Sequence, residues 1–175
     1  KKILSLLPLI LVLLQPCLAQ NEIPRDTLKE KVEIDEKSLN LYGGVGIQNS
    51  FFTEIGIGYT RFVGGGGDLA NFGCYTAYEW TPKNKNHHML NGIKGGIHFA
   101  GIGAGLVTEV KYQWYDNLHD WTITPKFGIG LGGVVMLYYG YNISLNNRPF
   151  DFVSRHQFSY TVNIPAKLFK RPENR

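Results

Sequence analysis

Eight times between residues 39 and 164 the chain sets an apolar side chain at every second position, and each run stops at a short polar or glycine-rich break. A period of two is the signature of a β-strand with one apolar and one polar face, and no window here keeps the 3.6-residue period of a helix. The runs cover residues 39–48, 52–62, 70–80, 90–99, 102–114, 119–131, 134–144 and 156–164. Runs of that length match strands that cross a bilayer, which take about 9–11 residues. The expectation is an all-β fold, an eight-stranded antiparallel up-and-down transmembrane β-barrel over residues 39–169.

The two faces differ in more than hydropathy. On the inferred inward face lie Glu54, Glu79 and Glu109 with Lys94, Lys111 and Lys126, while no charge sits mid-strand on the outward face. Eight strands enclose a lumen just wide enough for side chains, so three acids and three bases would pair in a confined interior. The inward glycines Gly46, Gly56, Gly58, Gly96, Gly103, Gly105, Gly128 and Gly130 are expected to make room for those long side chains. A filled barrel follows, not an open pore. The connectors alternate, with tight Ala100-Gly101 and Gly132-Gly133 turns at one end and longer breaks at 81–89, 115–118 and 145–155 at the other. Trp80, Trp114 and Trp121 all fall on the outward face near the longer breaks, as an interfacial aromatic girdle requires. Pro125, inside the sixth run, cannot donate to a ladder and predicts a bulge or break, and Gly64 to Gly67 read as a flexible connector.

Ahead of the barrel, Lys1 and Lys2, the apolar run 3–14 and the small residues to Ala19 read as a secretory signal cleaved after Ala19, too short to span a bilayer as a helix. Cys17 raises a lipoprotein signal as the rival, with Pro16 standing where a small residue is expected. Residues 20–38 mix acids and bases and read as a solvated periplasmic segment, and residues 170–175 as a short tail. The formal charge of +4 falls to +2 when Lys1 and Lys2 leave, and its scatter excludes a nucleic-acid patch. Cys74 is then the remaining cysteine, so no intramolecular disulfide is expected. It reads as a small outward hydrophobe.

With this pattern, and with Tyr139-Gly140-Tyr141-Asn142 in the seventh run, the chain resembles the small eight-stranded outer-membrane proteins of the OmpX and OmpA-barrel type, in a form similar to those of Bacteroidota. The resemblance implies the cell outer membrane of a Gram-negative bacterium, outer-membrane lipids as surroundings, and insertion by the outer-membrane assembly machinery. Substrates of that machinery usually end in an aromatic residue. Phe169 is the candidate here, followed by six further residues.

Chemistry is sparse. No cofactor, metal site or catalytic constellation is expected. His87-His88 stand in a Lys/Asn-rich loop without a carboxylate or cysteine partner, and Glu54 with Glu79 read as part of a salt-bridge network, not an acid-base pair. His156 and Ser159 invite comparison with outer-membrane lipid A deacylases, but three residues apart on a strand they face opposite ways. A structural or surface-interaction role without catalysis is therefore the leading expectation. Loop 145–155, through Arg148, Phe150 and Phe152, is its candidate contact surface, with Phe150 and Phe152 either exposed as anchors or packed back on the rim. The alternatives are a soluble exported barrel binding an apolar ligand, for which the apolar face would turn inward, and an outer-membrane lipid-modifying enzyme.

Overall fold

The computed structural model describes residues 34–65, 68–82, 89–147, 150 and 152–166. The leader, the segment up to residue 33, His87, His88, Arg148, Phe169 and the tail lie outside the described residues.

The alternating runs form the strands β1 (Ile34–Ile47), β2 (Phe51–Gly65), β3 (Asp68–Thr81), β4 (Leu90–Ala100), β5 (Gly103–Tyr115), β6 (Leu118–Leu131), β7 (Val135–Tyr141), β8 (Ile143–Ser144) and β9 (His156–Pro165). Neighbours in sequence pair antiparallel, and β1 closes on β9, with Leu41 opposite Ile164 and Ile47 opposite Phe158. Because β7 and β8 are two parts of one stave, the result is a closed, eight-stranded antiparallel barrel. Closure gives each stave a neighbour on both sides, with the short β8 paired to β6 alone, and so removes the long free edges of an open sheet.

Three sequence expectations are corrected. First, β1 begins at Ile34, not Leu39, because Asp35 to Ser38 continue the ladder opposite Val63 to Thr60. A bidentate ion pair holds this extension: the Arg61 guanidinium donates to both Asp35 oxygens, at 2.8 and 2.7 Å. Second, the first half of the glycine run is strand, since Gly64 pairs with Leu69 and Gly65 with Asp68. Third, the seventh run is split at Asn142. Pro125 keeps its rung to Thr108 on β5, but the ladder on its other side stops at Lys126–Gly140 and resumes at Ile123–Ile143. The break expected at Pro125 is thus found on this side, where Thr124 and Pro125 have no rung, while β6 itself runs on unbroken.

Turn chemistry explains the tight end. Gly132 and Gly133 both take positive φ, 53° and 72°, and Val134 N donates to Leu131 O at 2.9 Å. Two consecutive positive φ values define the type I′ turn that matches strand twist, and glycine adopts them at little cost.

Polarity is inverted relative to a soluble domain. Ile55, Ile57, Ile93, Leu106, Phe127, Ile129, Leu137 and Phe158 are each more than half exposed on the outer face. Charged and amide side chains fill the inside: Lys94 and Lys111 are 1 % exposed, Glu109 and Gln157 0 %. The apolar contribution to the interior is small, chiefly Tyr42, Tyr75, Ala77, Ala100, Val107, Met136 and Tyr138.

Candidate functional site

The lumen gathers the six inward charges into one network. Backbone register alone would make it repulsive, since Glu54 stands directly opposite Glu79 on β2–β3 and Lys94 opposite Lys111 on β4–β5, and like charges facing each other destabilise a sheet. The attraction comes from diagonal pairs on neighbouring strands and from strands that are not neighbours. Lys94 on β4 reaches Glu54 on β2, and Lys111 on β5 reaches Glu79 on β3 at 3.5 Å. Lys94 also lies 3.1 Å from Glu79 and 3.6 Å from Glu109. Glu109 collects the third base as well, with Lys126 at 2.6 Å and Lys111 at 3.6 Å. Every side chain in the network is at most 3 % exposed.

Neutral groups complete it. Tyr42 donates to Glu54 at 2.8 Å, Tyr75 to Glu109, and Gln48 and Gln113 both donate to Glu79 Oε1 at 3.0 Å. Lys111 donates to Gln157, and the Phe52 ring lies 5.6 Å from Lys94 Nζ and 5.9 Å from Lys111 Nζ, near enough for cation–π attraction. Tyr42 and Tyr75 stack across the lumen at 4.2 Å between centroids. Paired charges in a closed interior need such added donors, because Coulomb attraction alone barely offsets desolvation.

Packing beneath these groups corrects another expectation. A Cβ on Gly96 would lie 2.7 Å from the Tyr75 ring, and one on Gly105 2.7 Å from Met136 Cε. The glycines therefore seat rings and a methionine more than lysines. Gly103 does not face the lumen; it is exposed, with φ 84°, at the start of β5.

The three tryptophans lie near the loop end of the outer wall. Trp80 and Trp121 are 41 % and 38 % exposed and Trp114 is half-buried. Tyr112 bridges two of them, 5.8 Å from Trp114 and 5.0 Å from Trp121, and Tyr78, 6.4 Å from Trp114, donates to Asn91 at 2.6 Å.

Loop 145–155 does not hold out two anchors. Phe150 is buried, 2 % exposed, and Phe152 is half-buried, edge-on to Tyr115 at 6.3 Å. Ser154 N donates to Gln48 O at 3.2 Å and Asn49 Nδ2 to Phe152 O at 3.1 Å, so the loop is tied to the β1–β2 turn. Burying a phenylalanine at the mouth removes more apolar surface from water than exposing it would. His156 and Ser159 lie on opposite sides of the wall: His156 meets the Tyr139 hydroxyl outside at 2.7 Å, and Ser159 meets Lys126 inside at 3.5 Å.

Sequence reasoning put Tyr42 and Tyr75 on the inner face without giving them a role, and missed Phe52 and Asp120. Asp120 shares the parity of Thr122 and Thr124 and is buried with them. That parity was the available signal.

With this geometry in hand, the chain was compared with known protein families, curated proteins and solved structures. None of them matches it.

Proposed function

We propose that the chain is an integral outer-membrane β-barrel protein of the small, OmpX-like kind, with a filled lumen and a structural role in the cell envelope, without catalysis. The observation that carries the reading is the inversion of polarity around a closed barrel. A continuous apolar outer wall, with aromatics and hydrogen-bonding rings near one end, suits hydrocarbon bounded by an interface. An interior of paired charges suits a lumen shut off from it. The secretory leader, the outer-membrane lipids as surroundings and the assembly machinery as a biogenesis partner belong to the same proposal.

The filled interior weighs against a soluble barrel holding an apolar ligand, since such a pocket is lined mainly by apolar and aromatic groups, whereas this one is lined by Glu54, Glu79, Lys94, Glu109, Lys111 and Lys126. Separation of His156 from Ser159 by the wall weighs against a lipid-modifying enzyme built on that pair. With Phe150 tucked in, a structural role is better supported than capture of a partner by two exposed phenylalanines.

Fractionation of the full chain, followed by comparison of gel mobility before and after boiling, tests the proposal. Retention in outer membranes with a heat-dependent mobility shift, and no unit conductance in planar bilayers, is the expected result. Recovery as a soluble protein without detergent would overturn the membrane reading, and a stable conductance would overturn the filled lumen.

A further inference from the structure

At the tight-turn end the lumen is crossed by main chain. Counting round the barrel, β3 stands three staves from β6 in one direction and four from β7 in the other, so it faces them across the full width of the interior. Yet Asn71, near the start of β3, donates from Nδ2 to Gly132 O at the tip of the β6–β7 hairpin. An asparagine side chain cannot span an eight-stranded barrel, whose interior takes side chains from all its walls, so the turn has come to Asn71. The fit is close: Asn71 and Gly133 are both buried, and a Cβ on Gly133 would run into the Asn71 amide. A Cβ on Gly130 would likewise run into Val135 O, so a bare position in β6 lets β7 close in where the hairpin bends. Asn163 on β9 ties the other side of the turn, with N donating to Val134 O at 2.7 Å and Nδ2 to Gly133 O at 3.5 Å.

Beneath the turn the lumen is apolar. Met136 and Ala100, 1 % and 0 % exposed, cluster there with Val107 and Tyr138. Ala100 stands opposite Asn71 on the β3–β4 ladder, and a Cβ on Gly105 would lie 2.7 Å from Met136 Cε and 3.2 Å from Ala100 Cβ, so Met136 reaches from β7 to the β4–β5 wall directly under the turn. The charge network begins one layer further in, since Glu109 follows Val107 on the inner face of β5. We propose that the Gly132–Gly133 turn is a lid, latched by Asn71 and Asn163, that shuts the tight-turn end of the lumen against water-borne solutes and keeps the apolar layer below it covered. Few hydrogen bonds hold it, so it can lift without unfolding the barrel. This inference stands on the barrel interior and does not depend on what surrounds the outer wall.

The chain carries its own probe for this. Of its two methionines, Met89 is 46 % exposed at the loop end and Met136 lies under the turn, and peroxide converts an accessible thioether to the sulfoxide. Oxidation of the folded full chain by dilute hydrogen peroxide, followed at each methionine by mass spectrometry of its peptide, tests the proposal. In the wild-type chain Met136 is expected to oxidise at least about tenfold more slowly than Met89. Asn71→Ala removes the latch, and Gly133→Ala sets a methyl group against the Asn71 amide; each is expected to speed Met136 about fivefold or more, with the Met89 rate unchanged. Asn40→Ala removes another buried amide at the same end, one that donates to Thr60 and not to the turn, and is expected to leave Met136 protected. Equal rates at the two methionines of the wild-type chain would overturn the proposal without any variant having to fold. So would a Met136 rate that Asn71→Ala leaves unchanged, or one that Asn40→Ala raises as much, since protection would then belong to the barrel as a whole and not to the turn.

Discussion

Gly95 and Gly96 are consecutive residues of one strand, yet they answer to different physics. A Cβ on Gly95, on the outer wall, would meet a single backbone oxygen at 3.8 Å, whereas one on Gly96 would strike the Tyr75 ring at 2.7 Å. The same contrast runs round the barrel. The outer wall has to be apolar and unobstructed, and many side chains would satisfy that. The inner face has to fit specific partners, and few would. Substitutions should therefore be tolerated outside and punished inside, unless the outer wall meets something that rejects charge.

The largest effect is expected at Glu109, which lies within 3.6 Å of all three lumen lysines. Glu109→Ala leaves three buried cations facing two acids and should cost about 3–5 kcal/mol in urea unfolding. Val110→Ala, on the next residue and the other face, should cost less than about 1 kcal/mol. Equal losses at the two positions would break the comparison.

Next comes the outer wall itself. Ile55 is 62 % exposed with no charged neighbour in its cross-strand pairs, which are with Gly43 and Tyr78. Ile55→Arg should cost about 2–4 kcal/mol for a barrel refolded into lipid vesicles. For a barrel surrounded by water the same change should be close to neutral. This one number separates the two surroundings, which the inner-face variants cannot do.

Steric fit ranks third. Gly96→Val drives a branched side chain into the Tyr75 ring and should cost about 1–3 kcal/mol by overpacking. Gly95→Val adds a strand-favouring side chain to open space and should be neutral, or stabilising by about 0.5–1 kcal/mol.

How much of this could be read from the chain follows the same division. Alternation repeated eight times is a backbone-level signal, and it located every stave and sorted Glu54, Glu79 and Lys94 onto one face. It could not say who pairs with whom, because Lys94–Glu54 and Lys111–Glu79 each skip a strand and depend on barrel closure and shear. Strand ends were misjudged where residues without an apolar side chain keep the ladder going past the apolar band, as at Asp35 and Gly64. Phe150 was ambiguous because a loop's direction is set by its ties, here through Ser154 to Gln48, which no local pattern announces. Asp120 was overlooked since an acid at a strand end resembles loop composition, although its parity with Thr122 marked it as inward.

The smallest effect is expected at the pair that sits outside both regimes. Asp35 and Arg61 are on the outer side at the tight-turn end, partly exposed and bidentate. The hydrogen bond from Arg61 holds the Asp35 carboxyl below its ordinary value of 3.8. For an acid lowered by folding, the stabilisation is fully present above the unfolded value and is lost as pH falls through the folded one. The difference in unfolding midpoint between the wild-type chain and Asp35→Asn should therefore be constant at neutral pH and shrink towards zero below about pH 4. It should also fall with added salt, because exposed pairs are screened. A difference that grew on acidification would mean that Asp35 is held in its protonated form, and the extension of β1 would then need a support other than this ion pair.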